Sequence, residues 1–246
     1  MTNSKSVLIT GATRGLGASL AREFARRGYR LALTGRSREA LDALAAELRG
    51  EAAAVTVEPL DVEAFDTIPA AIRNCAERLG GLDIVVINAG VGWPTPAGEG
   101  HADAIRKTID INLTGAILTA EAAVELFREQ GRGQVVGITS ILAVRGLPQQ
   151  SAYSATKAGF GRYLESLRCD TRNDGIAVTD LAPGFIDSDM SRSVPNRFFV
   201  TDTSKGTQIM ADMIERQVRF RYVPRWPWSL LAQLLEWLPD RILTRI

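Results

Sequence analysis

The stretch Tyr153-Ser154-Ala155-Thr156-Lys157 places a phenol and an ammonium four residues apart, so on a helix they share one face. A phenol with an ordinary pKa of about 10 is a poor acid or base near neutrality. A neighbouring ammonium favours the phenolate. Lowering the phenol by about three units takes roughly 4 kcal/mol of differential interaction, which a water-poor cleft can supply. Such a pair could pass a proton to or from an oxygen atom. It could equally be a solvated Tyr and Lys on a helix surface. Taken alone, the pentapeptide favours that plainer state.

A second candidate lies near the start, in Gly11-Ala12-Thr13-Arg14-Gly15-Leu16-Gly17. Glycines let a backbone turn tightly and approach a pyrophosphate, whose charge a helix N-terminus favours. The spacing is G-x-x-x-G-x-G, not the commoner G-x-G-x-x-G, and by itself it could be only a tight turn. Its place between an apolar run and an amphipathic helix favours a dinucleotide. Which dinucleotide follows from charge at the end of the second strand. An acid there would accept from a ribose 2′-hydroxyl, whereas an arginine would suit a 2′-phosphate. The position holds Arg36, Arg14 can approach from the glycine turn, and the nearest acid, Glu39, falls in the next helix. Two guanidiniums can clamp a phosphate by charge-assisted hydrogen bonds, unless both are plain surface arginines. NADP(H) is therefore expected over NAD(H).

These groups need elements that bring them together. Apolar, β-branched runs at 5–10, 30–34, 53–58, 82–87, 134–139 and 176–181 read as strands, with a short last one at 221–224. Helical spacing joins Leu16, Leu20, Phe24 and Ala25, and then Leu41, Leu44, Ala45 and Leu48, where Gly50 stops the helix. Further helices are expected over 68–79, 151–172 and 206–220, with a long helical region over 101–129. Asn88 to Gly100, with four glycines and two prolines, is loop. Apolar strands alternating with helices argue for a parallel sheet covered on both faces. The expected fold is α/β, a Rossmann-like doubly wound sheet of about seven strands, in a single domain over 1–246. Ligands of such sheets sit beyond the C-terminal strand ends.

Composition narrows the alternatives. With 246 residues, 46% hydrophobic and 23% charged, the chain reads as an ordinary globular protein. A net charge of +1 gives no footprint for nucleic acid. Cys75 and Cys169 match no metal or redox spacing and suggest free thiols in a reducing compartment. His101 is the only histidine, so no His-rich metal site is expected. A Ser-His-Asp hydrolase would rest on His101 alone, and there is no G-x-S-x-G elbow. His101 is instead expected to cap or decorate a helix start, and Cys169 to pack within its helix. A strand opening at residue 5 leaves no room for a signal peptide, and no apolar run reaches 18 residues. A cytoplasmic location is expected.

In this order the chain resembles the classical short-chain dehydrogenase/reductase family over nearly all its length. The residues carrying the resemblance are Thr10 to Gly17, Asp61-Val62, Asn88-Ala89-Gly90, Asn112, Ser140, Tyr153 with Lys157, and Pro183-Gly184. Two positions depart from the pattern: Ile87 replaces the first Asn of Asn-Asn-Ala-Gly, and Ser188 stands for the usual Thr after Pro-Gly. The first change would remove a supporting hydrogen bond, and the second keeps a hydroxyl. The resemblance implies that Tyr153 is the general acid/base and that Lys157 lowers its pKa and holds the nicotinamide ribose. It implies that Ser140 bonds the substrate oxygen and that Asn112 helps hold a water that relays protons to Lys157. It further implies that Gly11, Thr13, Arg14, Gly15, Leu16, Gly17, Arg36, Asp61, Val62, Asn88, Ala89 and Gly90 line the cofactor groove. Pro183, Gly184, Ile186 and Ser188 would lie at its nicotinamide end. The implied substrate is a small-molecule carbonyl or alcohol, and the implied assembly a homodimer or homotetramer. Taken singly, Ser140 could be a turn-capping hydroxyl and Asn112 a helix-interior side chain bonded to backbone.

The last third is harder to read. Residues 185–220 are expected to form a substrate lid region, and 226–246 an amphipathic C-terminal tail. In the tail Trp228, Leu231, Leu235, Leu238 and Ile242 make one apolar stripe, widened by Leu230, Leu234 and Trp237, and Pro239 should break the helix. From Glu215 onward six arginines face three acids. Such a basic segment could lie on an anionic membrane surface or pack on its own domain or on a second subunit. The leading expectation is an NADP(H)-dependent oxidoreductase acting on carbonyl or alcohol groups. The alternative is a cofactor-binding regulatory or membrane-docking protein with vestigial reductase activity.

Overall fold

A computed structural model of the chain describes residues 4–192 and 197–243. Residues 193–196 of the expected lid, 244–246 of the expected tail and 1–3 lie outside the described residues. Seven strands form one sheet: β1 (Ser6–Ile9), β2 (Arg30–Gly35), β3 (Ala54–Pro59), β4 (Ile84–Ile87), β5 (Gly133–Ile138), β6 (Ile176–Pro183) and β7 (Phe220–Val223). All pairings are parallel, in the order β3-β2-β1-β4-β5-β6-β7. The direction of winding reverses between β1 and β4, which opens a crevice beyond their C-terminal ends.

Helices α1 (Gly15–Arg26), α2 (Arg38–Leu48) and α8 (Thr203–Glu215) cover one face. Phe24, Leu41 and Met210 there pack with Val7, Leu31 and Val136 of the strands. On the other face lie α3 (Ile68–Leu79), α5 (Ala116–Gln130) and α6 (Ser151–Asp170). Ile72, Phe127 and Leu164 pack there with Leu8, Val85 and Val178. Each fully buried Leu, Ile or Phe stabilises the fold by about 1.5–3 kcal/mol. This two-sided burial is why the strands read as continuous apolar runs.

The helical region expected over 101–129 is helical throughout from Ala102 to Gln130, with one feature the spacing did not announce. A π-helical turn over Asp110–Gly115 joins α4 (Ala102–Ile109) to α5 within it. Asn112 sits in that turn, where its amide bonds the backbone of Val91, and Gly115 lies where a Cβ would meet Val62 O at 2.4 Å. These are tertiary contacts, which helical periodicity does not report. The helix expected over 206–220 instead starts at Thr203, because Asp202 caps it by accepting from Lys205 N, and it ends at Glu215. The last strand accordingly begins at Phe220. Cys169 is exposed rather than packed in its helix, while Cys75 is buried. His101 stands at the N-cap position of α4 but makes no capping hydrogen bond there.

After Gly184 come the short α7 (Asp189–Arg192) and a bridge between Ile186 and Thr201. The tail folds into α9 (Arg225–Trp237) and α10 (Asp240–Leu243). Leu238, before Pro239, is extended, as the proline requires. The expected single stripe is a correction, since the tail carries two apolar faces. Trp228, Leu231, Ala232, Leu235 and Leu238 pack inward with Ile141, Leu142 and Phe185, whereas Trp226, Leu230, Leu234, Trp237 and Ile242 are exposed. Arg145 fastens the end of α9 by donating to Glu236 O, Leu238 O and Asp240. Among the described residues no helix is long and apolar enough to cross a membrane.

Candidate active site

The residues following the strands converge on one cavity of about 520 Å³ at the crevice. Gly11, Thr13, Arg14, Gly15, Leu16 and Gly17 line it after β1, Arg36 after β2, and Asp61 with Val62 after β3. Asn88, Ala89 and Gly90 enter after β4, and Ser140 after β5. Pro183, Gly184, Ile186 and Ser188 close it from β6, and Tyr153 and Lys157 reach in from α6. Asn112 is the one candidate that does not line the cavity; it is fully buried one layer behind.

The glycine turn fits a dinucleotide. Gly11 and Gly15 hold left-handed backbone (φ +66° and +55°), which costs a residue bearing a Cβ. A Cβ on Gly17 would stand 2.3 Å from Gly11 O and 2.6 Å from Asn88 Nδ2. Asn88 ties this turn to β4 by donating to Thr10 O at 2.9 Å and Gly11 O at 3.3 Å. Thr10 Oγ1 returns the link by accepting from the Asn88 and Ala89 amides, each at 3.0 Å. Ile87, the departure beside Asn88, is buried in the core. Arg14 and Arg36 are exposed at the same end of the cavity and, among the described residues, neither forms an ion pair. Glu39 does not line the cavity.

At the other end Ser140 caps a short 3-10 turn by accepting from Leu142 N at 3.1 Å, which leaves its hydroxyl proton to donate. The capping role expected of this serine is thus present, and it does not consume the hydroxyl proton. Asn112 accepts from Val91 N at 2.8 Å and donates to Val91 O at 2.7 Å, pinning the loop after Gly90 to the π-turn. Lys157 Nζ donates to Ile138 O at 2.8 Å and lies 5.8 Å from the centre of the Tyr153 ring. Burial pushes the Tyr153 phenol above its ordinary value, against a hydrogen bond with Ser140 that pulls it down. Lowering by Lys157 is thus not what these side chains alone produce. Burial also brings Lys157 down to about 8, with Asp180 opposing.

A sequence family described as short chain dehydrogenase matches residues 5–197. The chain belongs to that family. An uncharacterized oxidoreductase of Mycobacterium tuberculosis is 38% identical over 244 residues, covering 98% of this chain and 96% of that protein. A 3-oxoacyl-[acyl-carrier-protein] reductase of Synechocystis is 32% identical over 191 residues, 76% of each. An alcohol dehydrogenase from the archaeon Thermococcus sibiricus, solved in complex with 5-hydroxy-NADP, superposes with a TM-score of 0.80 at 28% identity, covering 90% of this chain and 95% of that one.

In this short chain dehydrogenase the cavity also takes residues that its motifs do not announce. Ile141, Leu142 and Phe185 form an apolar wall, and the exposed Trp93 and Met190 also line the cavity. Leu142 and Phe185 belong to the apolar stretches 142–148 and 185–200 that suggest a hydrophobic pocket, and Ile141 adjoins the first of them. Ser188 exchanges hydrogen bonds with Ser191 at the start of α7. Asp187 beside it is held down to about 2 by hydrogen bonds from Arg192 and Arg197. Asp180, a buried acid in an otherwise mostly apolar strand, was missed altogether.

Proposed function

We propose that the protein is an NADP(H)-dependent oxidoreductase that moves a hydride between the nicotinamide and a carbonyl or secondary alcohol. The observation that carries this reading is the convergence of Ser140, Tyr153 and Lys157 on the cavity that the glycine turn also lines. A bound nicotinamide would supply or take the hydride at carbon. During reduction, charge grows on the carbonyl oxygen, which needs donors already in place. Tyr153 gives that oxygen its phenolic proton and Ser140 donates a second hydrogen bond. Lys157 would bind the ribose and favour the phenolate, and Asn112 would hold a relay water behind Val91. Asp61 and Val62 would meet the adenine, and Ile186 with Ser188 the carboxamide.

The apolar wall of Ile141, Leu142 and Phe185 supports a largely hydrocarbon carbonyl substrate. A panel of apolar ketones and aldehydes, assayed by NADPH consumption with wild type beside Tyr153→Phe, tests the reading; equal rates in the two proteins overturn it. NADP(H) over NAD(H) rests on Arg14 and Arg36. Arg36→Asp is expected to weaken NADPH at least tenfold more than NADH, since one charge-assisted contact is worth about 1.5–3 kcal/mol. Unchanged relative affinities in a fluorescence titration would remove the phosphate clamp.

A second reading concerns partners. Trp226 (73% exposed) and Trp237 (84%) are exposed along α9 together with Leu230 and Leu234, and Arg225 beside Trp226 is exposed as well. This pattern suits an anionic lipid surface. Full-length protein is expected to float with phosphatidylglycerol vesicles and Trp226→Ser/Trp237→Ser to stay behind. Equal flotation, or a double variant that alone becomes smaller in solution, assigns the face to something other than lipid. The α4–α6 region is where a homodimer or homotetramer contact is expected by analogy.

A further inference from the structure

Asp180 is 6% exposed and lies in β6 in register with Gly137 of β5. It faces α6: its Oδ2 is 3.6 Å from where a Cβ on Gly161 would stand, and Gly161 is one helical turn beyond Lys157. Its Oδ1 accepts from Thr139 Oγ1 at 2.5 Å. Thr139 adjoins Ser140 on one side and, on the other, Ile138, whose carbonyl receives the Lys157 ammonium. One buried carboxylate therefore stands behind both the ammonium and the strand end that carries the serine. Burying a carboxylate is costly unless it is paired or hydrogen-bonded. A neutral residue could hold Thr139 without that cost, and no role assigned above uses the charge.

We propose that Asp180 is a positioning residue, keeping Lys157 charged and fixing the Thr139–Ser140 strand end for proton transfer at Tyr153. The inference rests on reading Tyr153 and Lys157 as the pair that handles the proton. The charged groups around Asp180 are consistent with it. On α6 stand Lys157 and Arg168, which favour the carboxylate, and Glu165, which opposes it; on β7 stands Tyr222, which Asp180 pushes up. Burial raises Asp180 to about 6 and lowers Lys157 to about 8. Asp180 is charged above the first value and Lys157 below the second. Between them the two groups are carboxylate and ammonium together, and that is the window in which the arrangement works.

Asp180→Asn keeps an acceptor for Thr139 and removes the charge. Without the carboxylate the Lys157 ammonium loses a favourable partner, so its pKa falls, by about one unit for a nearby opposite charge. The chain has four lysines, and the other three, Lys5, Lys107 and Lys205, are exposed. Lysine-selective 13C labelling thus reads the buried one directly by NMR titration, with no need for turnover. The expected result is a Lys157 titration displaced to lower pH in Asp180→Asn, with the alkaline limb of kcat displaced alike and NADPH affinity kept. A titration coinciding with wild type overturns the proposal. Should the Asn variant not fold, Thr139→Val leaves the acid but makes it harder to ionise, and a smaller shift in the same direction is expected; none overturns it. Tyr153→Phe run alongside separates the two ideas. Wild-type turnover in that variant would refute the catalytic reading, while the NMR titration decides Asp180 independently.

Discussion

Tyr153→Phe is expected to lower kcat by about 10²–10⁴-fold, the usual contribution of a positioned proton donor. That is roughly 3–5 kcal/mol of the barrier. The phenyl ring keeps the contacts that Tyr153 makes beside Ile141, Leu142 and Phe185, so packing should survive. Only the hydroxyl goes, and with it the group proposed to deliver the proton. The affinity for NADPH should therefore stay within a few-fold of wild type. Rates measured at saturating cofactor, beside a fluorescence titration of NADPH, check both halves. Loss of cofactor affinity equal to the loss of rate would mean that the phenol is a binding group, and the assignment of the acid would be wrong.

Gly17→Ala is the second large effect. The new methyl would stand 2.3 Å from Gly11 O, a backbone atom that cannot swing aside, and 2.6 Å from Asn88 Nδ2. Relief requires the turn to move away from α1 or Asn88 to release Thr10 and Gly11. Overpacking of this kind costs about 1–3 kcal/mol of stability. The greater loss should be in cofactor affinity, because displacing a preformed cradle by an ångström can cost about 10²-fold. Gly50→Ala is the control, since nothing lies within 4 Å of its added methyl. Urea midpoints and NADPH titrations of both variants decide it: wild-type affinity in Gly17→Ala would show that this turn does not hold the cofactor.

How much of this was legible depended on whether the cause was local. Strand runs such as Ser6–Ile9 and Ile84–Ile87 are apolar because both faces are covered, and their alternation with helices specified the sheet. The glycine turn, Ser140, Tyr153 and Lys157 were visible for the same reason, since each follows or faces a strand end. The π-helical turn at Asn112 was not visible, because its side-chain partner is Val91, 21 residues away. The start of α8 carries a local signal of its own, the N-cap acid Asp202. Asp180 had one signal, an acid within Ile176–Pro183, whose meaning appears only when Thr139 and Lys157 stand beside it. The tail had more apolar residues than one helix face can hold, and only packing could divide them.

That division bears on how the molecule could diversify. The family match stops at residue 197, yet Trp228, Ala232 and Leu235 buttress the wall formed by Ile141, Leu142 and Phe185. Trp228 stacks so closely on Gly184 that a Cβ there would fall 2.0 Å from its ring. The groups proposed to react all lie in the matched stretch, while the shape of the compartment beside them leans on a helix outside it. Selection could re-tailor that helix at little risk to the chemistry, so two descendants could share every catalytic group and yet accept different molecules.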